Sequence, residues 1–411
     1  MATTVIVYPS GTTENTNPHV LFSGGTGATY TIEMTTSGEL LFSQDVEFTR
    51  SGVISSVGTG HYITGMFYNT DNQVMYFTSQ DSSTNDYSIS GFSGSNDTLF
   101  STTFYDDLRQ GVAGGGGGQT GYGVTQGPSN VVYVLGEFTG NSKTAVRRIN
   151  ITNSQVTHEY TGGTSVYTSG TYYEYNSNGY LAFAERYNSD NVLTILNASD
   201  LSLVGRYSYD EYNNDSNNYF QQLIYANGKL LWSMPNRTFN AAVGCTTQYG
   251  QFNLSNNTFT TGSTQPHSTQ WTGYVLMDGT EKVYGVQIEA SPGFSDFTGV
   301  TYGYYDYSAH TFTELGSKEI SDDVNQNVLY LNGLFPSKKD SNGDMYLISL
   351  YDLIIINGST GTLIETENIL DLSSNVFNDN VTFTAVEYNQ NQDKLWVASY
   401  LASNGALIDT Y

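Results

Sequence analysis

Few clusters in this chain could do chemistry, and the clearest are acidic. The run Lys338-Lys-Asp-Ser-Asn-Gly-Asp344 sets carboxylate and amide oxygens at alternating positions. Asp340, Asn342 and Asp344 therefore look like the start of a loop for Ca2+, a hard cation held by oxygen. No glutamate follows about seven residues later to complete such a set. Asn-Gly is equally what a tight turn requires, so turn and calcium site both stand open here. The stretch 210–218 offers similar oxygens. Further acids recur in connecting segments: Asp45 and Glu47; Asp106 and Asp107, with Arg109 beside them; Asp210, Glu211 and Asp215; Asp322 and Asp323; Glu367 and Asp371. Carboxylates grouped in this way suit a cation or a cationic partner, and they equally suit solvated loops of an acidic protein.

Other chemistry finds little support. No Gly-X-Ser-X-Gly elbow is present. His19, His61, His158, His267 and His310 lie far apart, without metal-ligand spacing. The single cysteine, Cys245, excludes an intrachain disulfide, and its neighbours Ala242 and Val243 mark it as a small buried residue. Five glycines at 114–118 are not followed by Lys-Ser/Thr, so they form no phosphate loop. They read as a flexible or close-packed connection, or as a point of contact between subunits.

The elements that must position these residues are strands. Aromatics are 14% of the chain, with 34 tyrosines and 43 glycines, a composition of pleated strands and turns. No sustained helical periodicity appears. Ile224-Tyr-Ala-Asn-Gly-Lys-Leu-Leu-Trp-Ser-Met234 reads as strand, type I′ turn, strand, because Asn227-Gly228 suits positive φ at both central positions. The same hairpin recurs. Its second strands are His19-Val-Leu-Phe22, Val74-Met-Tyr-Phe77, Val131-Val-Tyr-Val134, Tyr180-Leu-Ala-Phe183, Leu230-Leu-Trp232, Val283-Tyr-Gly-Val286, Met345-Tyr-Leu-Ile348 and Leu395-Trp-Val397. Each is followed by an alternating hairpin such as Val192-Leu-Thr-Ile-Leu-Asn-Ala-Ser-Asp-Leu-Ser-Leu-Val204 or Leu353-Ile-Ile-Ile-Asn-Gly-Ser-Thr-Gly-Thr-Leu-Ile364. The period is roughly fifty residues, that of a propeller blade.

On these repeats the chain resembles the β-propeller superfamily over nearly its whole length, without Trp-Asp blade ends, kelch glycine pairs or Asp boxes. The resemblance implies an all-β ring of four-stranded antiparallel blades in one domain, 1–411. Units lie near 10–57, 61–104, 121–160, 170–208, 219–261, 270–316, 327–366 and 381–411. That is eight blades, or seven if one unit is irregular. The last unit runs out after three strands, and Thr4-Val-Ile-Val-Tyr8 is expected to complete it, closing the ring from the N-terminus. Tyr76, Tyr133, Trp232, Tyr284, Tyr346 and Trp396 are expected to pack between blades. The acid clusters would fall in the connections from the outer strand of one blade to the inner strand of the next, gathered on one face.

Composition limits the partners. The net charge is −25, from 14 basic and 39 acidic residues, which repels nucleic acid and anionic membranes. Charged residues are 13% of the chain, against about 25% in typical globular proteins. No run is long enough to span a bilayer, and the first residues lack the basic and apolar regions of a signal peptide. Nine Asn-X-Ser/Thr sequons are present, including Asn96, Asn150, Asn197, Asn236 and Asn357, about as many as so much Asn, Ser and Thr yields by chance. The expectation is a non-enzymatic structural protein of an extracellular or particle surface, self-assembling as filament, layer or appendage. Its partners would be further copies, another surface protein or glycans. No cofactor is required, Ca2+ being the one candidate. The alternatives are a carbohydrate-binding adhesin and a propeller enzyme, a metal-dependent lactonase or polysaccharide-active enzyme, working at an acidic channel mouth.

Overall fold

A computed structural model describes residues 3–7, 19–24, 29–34, 40–45, 52–56, 61–69, 73–81, 87–93, 98–105, 108–109, 124–138, 143–151, 155–166, 170–209, 220, 222–240, 244–265, 271–290, 297–319, 337–349, 352–368, 381–389, 394–401 and 405–410. The chain divides into two compact units, Met1–Arg50 and Ser51–Tyr411. In the first, Thr3–Val7 pairs with His19–Gly24, and Thr29–Met34 pairs with Leu40–Asp45.

The second unit is a β-propeller. Its described strands form seven antiparallel sheets, here blades 1 to 7. Blades 1 to 6 span 61–105, 108–161, 165–208, 222–265, 271–319 and 337–368. Blade 7 takes three strands from the C-terminal end, Val381–Asn389, Lys394–Leu401 and Gly405–Thr410, and its fourth from Gly52–Ser56. The innermost strands are His61–Asn69, Val124–Gln126, Thr171–Tyr175, Gln222–Ala226, Trp271–Leu276, Ser337–Lys339 and Val381–Asn389. Each packs on the next, and the last packs on the first, which makes a closed ring.

Two expectations are corrected here. The ring has seven blades among the described residues, because the unit near 10–57 contributes only its last strand to a blade. Ring closure also falls to Gly52–Ser56, since Thr3–Val7 has its own partner in His19–Gly24. Both segments are short and apolar, and an edge strand accepts either. The shorter connection wins: Gly52–Ser56 leads directly into His61–Asn69, so closing the seam adds little loop entropy.

Packing explains the strand patterns. In blade 3 the third strand, Asp190–Asn197, is buried on both faces from Asn191 to Leu196. A strand with a blade on either side has no solvent face, so its apolar run is continuous rather than alternating. The core accordingly lies between sheets. Phe67 and Tyr76 meet Val132 and Val134; Tyr133 and Leu135 meet Leu181 and Phe183; Ala184 and Leu193 meet Leu230 and Trp232. Leu231 and Tyr249 meet Val283 and Tyr305, and Tyr284 and Val286 meet Leu347 and Ile354. Five of the six aromatics expected between blades (Tyr76, Tyr133, Trp232, Tyr284 and Trp396) are buried, while Tyr346 is half-buried with its hydroxyl on Asp340. Tyr133 and Tyr284 also donate to the carbonyls of Ala198 and Gly361, at equivalent turns of the following blades. Gly250 is required where it stands: a Cβ would lie 2.1 Å from Trp232 Cζ2.

Turn chemistry matches the sequence. Asn227 and Gly228 have φ of 51° and 76°, the type I′ geometry. The turns between third and fourth strands repeat an Asx-X-Ser motif. In Asn197, Asn253 and Asn357, Oδ1 accepts the amide and hydroxyl of the serine two residues on. Asp306 accepts the Ser308 amide in the same way. Three of the nine sequons are thus Asx turns, and turn formation accounts for their presence.

Candidate functional site

The expected acidic face is located by strand order only. Asp106 and Asp107 lie between the last strand of blade 1 and the first of blade 2. Asp210 and Glu211 lie between blades 3 and 4, and Asp322 and Asp323 between blades 5 and 6. All six residues are outside the described set. Arg109 is on a short inner strand, Leu108–Arg109, paired opposite Glu137. The glycine run 114–118 is also outside the described residues. Its anchors are informative: Leu108–Arg109 and Val124–Gln126 both pair with Val131–Phe138, so the run is inserted into the channel-side strand of blade 2.

Asp340, Asn342 and Asp344 do come together, in the turn between the first two strands of blade 6. Asp340 Oδ1 accepts the amides of Asn342 at 2.8 Å and Asp344 at 2.9 Å, and Oδ2 accepts the Tyr346 hydroxyl at 3.2 Å. Asp344 Oδ1 accepts the Gly358 amide at 2.7 Å. The carboxylates thus serve as acceptors for the turn itself, with Gly343 at φ 90°. Among the described residues no group of three or more His, Cys, Asp or Glu could hold a metal ion.

What the sequence did not single out is a cavity of about 490 Å³ at one end of the central channel. It lies where inner strands run into their first turns. Tyr68 of blade 1, Gln126 of blade 2 and Tyr388 of blade 7 form one wall; Ile224 of blade 4 with Val275 and Leu276 of blade 5 form another. Between them stand Ser337, Lys338, Lys339 and Glu387. Lys338 Nζ donates to Glu387 Oε2 at 2.7 Å, joining blades 6 and 7. Lys339 pairs with Asp278 of blade 5. Lys229 pairs with Glu281 at 2.8 Å, joining blades 4 and 5. Three of the 14 basic residues therefore tie neighbouring blades at this end of the ring. A signal for them exists in the sequence. Lys229 and Glu281 are 52 residues apart and Lys338 and Glu387 are 49 apart, one repeat in each case. Opposite charges one blade apart at equivalent positions face each other across the blade interface.

Glu387 is the most deeply placed of these groups. Its side chain is 3% exposed, against 33% for Lys338. Burial raises its carboxyl above the usual range, opposed by the Lys338 ammonium and by the amides of Tyr388 and Tyr68. A carboxyl raised on folding favours the folded state through its protonated form. That contribution is complete below the unfolded value of about 4.3 and is lost as pH rises through the folded value. Glu387→Gln is expected to flatten this part of the pH dependence, measured as urea-unfolding free energy across the acid range. Parallel curves for wild type and variant would contradict it.

The outer rim holds the second feature. In all seven blades the pairing of third and fourth strands carries a register shift, with one extra residue on the outer strand. Such a bulge bends an edge and re-aims a side chain. Among the described residues, the large apolar side chains left exposed are Val156, Leu203, Val204, Leu363 and Ile364. All five sit on outer strands, at or beside the extra residue of blades 2, 3 and 6.

No family model and no curated protein matches the sequence. Solved structures do. The chain is similar to Kuenenia stuttgartiensis hydrazine synthase at 11% identity and TM-score 0.56, over 87% of this chain and 97% of that one. It is also similar to the Dos1 propeller at 9% identity and TM-score 0.49, over 92% and 80%. The β-propeller domain of the trilobed protease from Pyrococcus furiosus matches at 8% identity and TM-score 0.48, over 86% and 96%. At such identities the likeness is one of fold alone, and in fold the chain is a β-propeller.

Proposed function

We propose that this protein is a non-enzymatic structural and interaction subunit of an extracellular or particle surface, and that it assembles with further copies of itself through its outer rim. The observation that carries this reading is the rim itself. The exposed large apolar side chains lie on outer strands, at equivalent bulges of three blades. Charge is sparse on three of the other outer strands. Thr98–Tyr105, Thr258–Gln265 and Gly52–Ser56 have none, in a chain of net charge −25. Natural sheet edges are commonly guarded by lysine or proline, and neither occurs in these three strands. Apolar studs on three outer strands and uncharged edges on three others suit close approach of a like surface.

The net charge of −25 opposes association of copies until salt screens it. Assembly is therefore expected to increase between about 0.01 M and 0.3 M salt, as the screening length falls from roughly 30 Å to below 10 Å. Sedimentation velocity and negative-stain imaging would follow it. Val204→Lys with Ile364→Lys is expected to leave separate folded rings at the higher salt. Wild-type protein that stays as single rings at high concentration in both conditions would sink the proposal.

A further inference from the structure

We infer that the cavity at the turn end of the channel is a binding site for a small carboxylic acid with an apolar body. The assignment rests on which group each wall presents. Glu387 is nearly enclosed, and its oxygens are engaged by Lys338 and by the Tyr388 amide at 3.0 Å. Lys338 is the more open member of the pair. An ammonium has three donors, and among the described residues its one recorded partner is Glu387. Lys338 lines a cavity that the aliphatic side chains of Ile224, Val275 and Leu276 line as well. A carboxylate is the strongest acceptor for such donors, since hydrogen bonds between ionised groups are about twice as strong as neutral ones. A hydrocarbon body would cover the three aliphatic side chains. At about 490 Å³ the cavity is in the range of small-molecule sites.

Lys338 belongs to the inner strand Ser337–Lys339, and its neighbour Lys339 is drawn away to Asp278. One cation is thus left to serve the cavity while the other ties blade 6 to blade 5. The acid would bridge blades 4 and 5 on its apolar side and blades 6 and 7 at its head. It would occupy the channel end without competing with the rim contacts proposed for assembly.

Isothermal titration of the full chain with hexanoate, 1-hexanol and glucose tests the site. Hexanoate is expected to bind about tenfold more tightly than 1-hexanol, the difference reporting the charged head. Lys338→Arg should hold hexanoate affinity within about threefold, because the charge and donors remain. Removing Lys338 alone would strand a buried carboxylate, so the decisive variant is Lys338→Met with Glu387→Met, which removes the pair as a unit and is expected to fold. It should lose about tenfold for hexanoate and leave 1-hexanol unchanged. The site is overturned if hexanoate fails to bind, if it binds no better than 1-hexanol, if glucose binds instead, or if the folded double variant binds hexanoate like the wild type.

Discussion

A chain shortened to begin at Ser51 is expected to fold and melt as a closed ring, and one beginning at Thr59 is expected to aggregate. The difference is one strand. Gly52–Ser56 pairs at four positions with Gly405–Thr410: Leu407 opposite Ser56, Ile408 opposite Ser55, Asp409 opposite Val53 and Thr410 opposite Gly52. Without it Gly405–Thr410 becomes the bare outer edge of blade 7. Four ladder positions at about 1 kcal/mol each amount to roughly 4 kcal/mol, before any lost side-chain packing. The ring also loses its clasp, because Gly52–Ser56 is the strand of blade 7 that runs on in the chain into blade 1. An unpaired strand of this kind is a template for other chains. The measurement is thermal melting with size-exclusion chromatography, and a peptide of residues 51–58 supplied in trans should recover part of the loss. A start at Ser51 that aggregates as readily as a start at Thr59 would refute the assignment. Removal of residues 1–9 alone should leave blade 7 unchanged.

Glu185→Ala is expected to cost about 3–5 kcal/mol, the usual penalty for breaking a buried ion pair by removing one member. Glu185 is fully buried on the second strand of blade 3. Its Oε1 accepts from the Tyr160 hydroxyl at 2.8 Å, the Thr194 hydroxyl at 2.6 Å and Arg206 Nε at 3.2 Å. Its Oε2 accepts the Gly163 amide at 2.7 Å. Tyr160 lies on the outer strand of blade 2 and Gly163 on the connection to blade 3, so one carboxylate joins two blades. Alanine leaves four donors without their acceptor, those of Tyr160, Gly163 and Thr194 buried and Arg206 with 21% of its side chain exposed. The Tyr160 hydroxyl is already raised well above its usual value, by burial first and then by Glu185. It therefore stays a neutral donor over the working pH range. Glu185→Gln keeps the shape but turns an amide NH2 toward other donors, so an intermediate loss is expected. Urea unfolding would rank the three proteins. A loss below about 1 kcal/mol for alanine, the worth of a single ordinary hydrogen bond, would show that the node contributes no more than that. Arg206 would then be held chiefly by its stacking over Tyr187, 4.0 Å away.

Both predictions depend on partners that are distant in the chain, and there the sequence was least informative. Thr4–Tyr8 and Val53–Val57 are short apolar segments of the same kind. Period-2 patterning says that each can be an edge strand, and nothing in it names the edge. The Asp340 turn shows the opposite case. Its residues are within five positions of each other, so both readings, turn and cation loop, could be stated from sequence, and the structure adds that the carboxylates accept the amides of the turn.

The amino-acid sequence by itself determined the all-β class, the repeating hairpins, the Asn227-Gly228 turn and the interblade role of Tyr133, Trp232 and Tyr284. These follow from local rules: alternation marks strands, positive-φ residues mark turns, and a large aromatic recurring on a strand with no free face must be buried. Tertiary structure alone decided the seven-blade count, the closing strand, the rim bulges and the cavity between Lys338 and Ile224. The reason is that ring closure and channel walls depend on pairings between distant strands. A local pattern fixes a strand's two faces and leaves its neighbours open, and only the closed ring selects them.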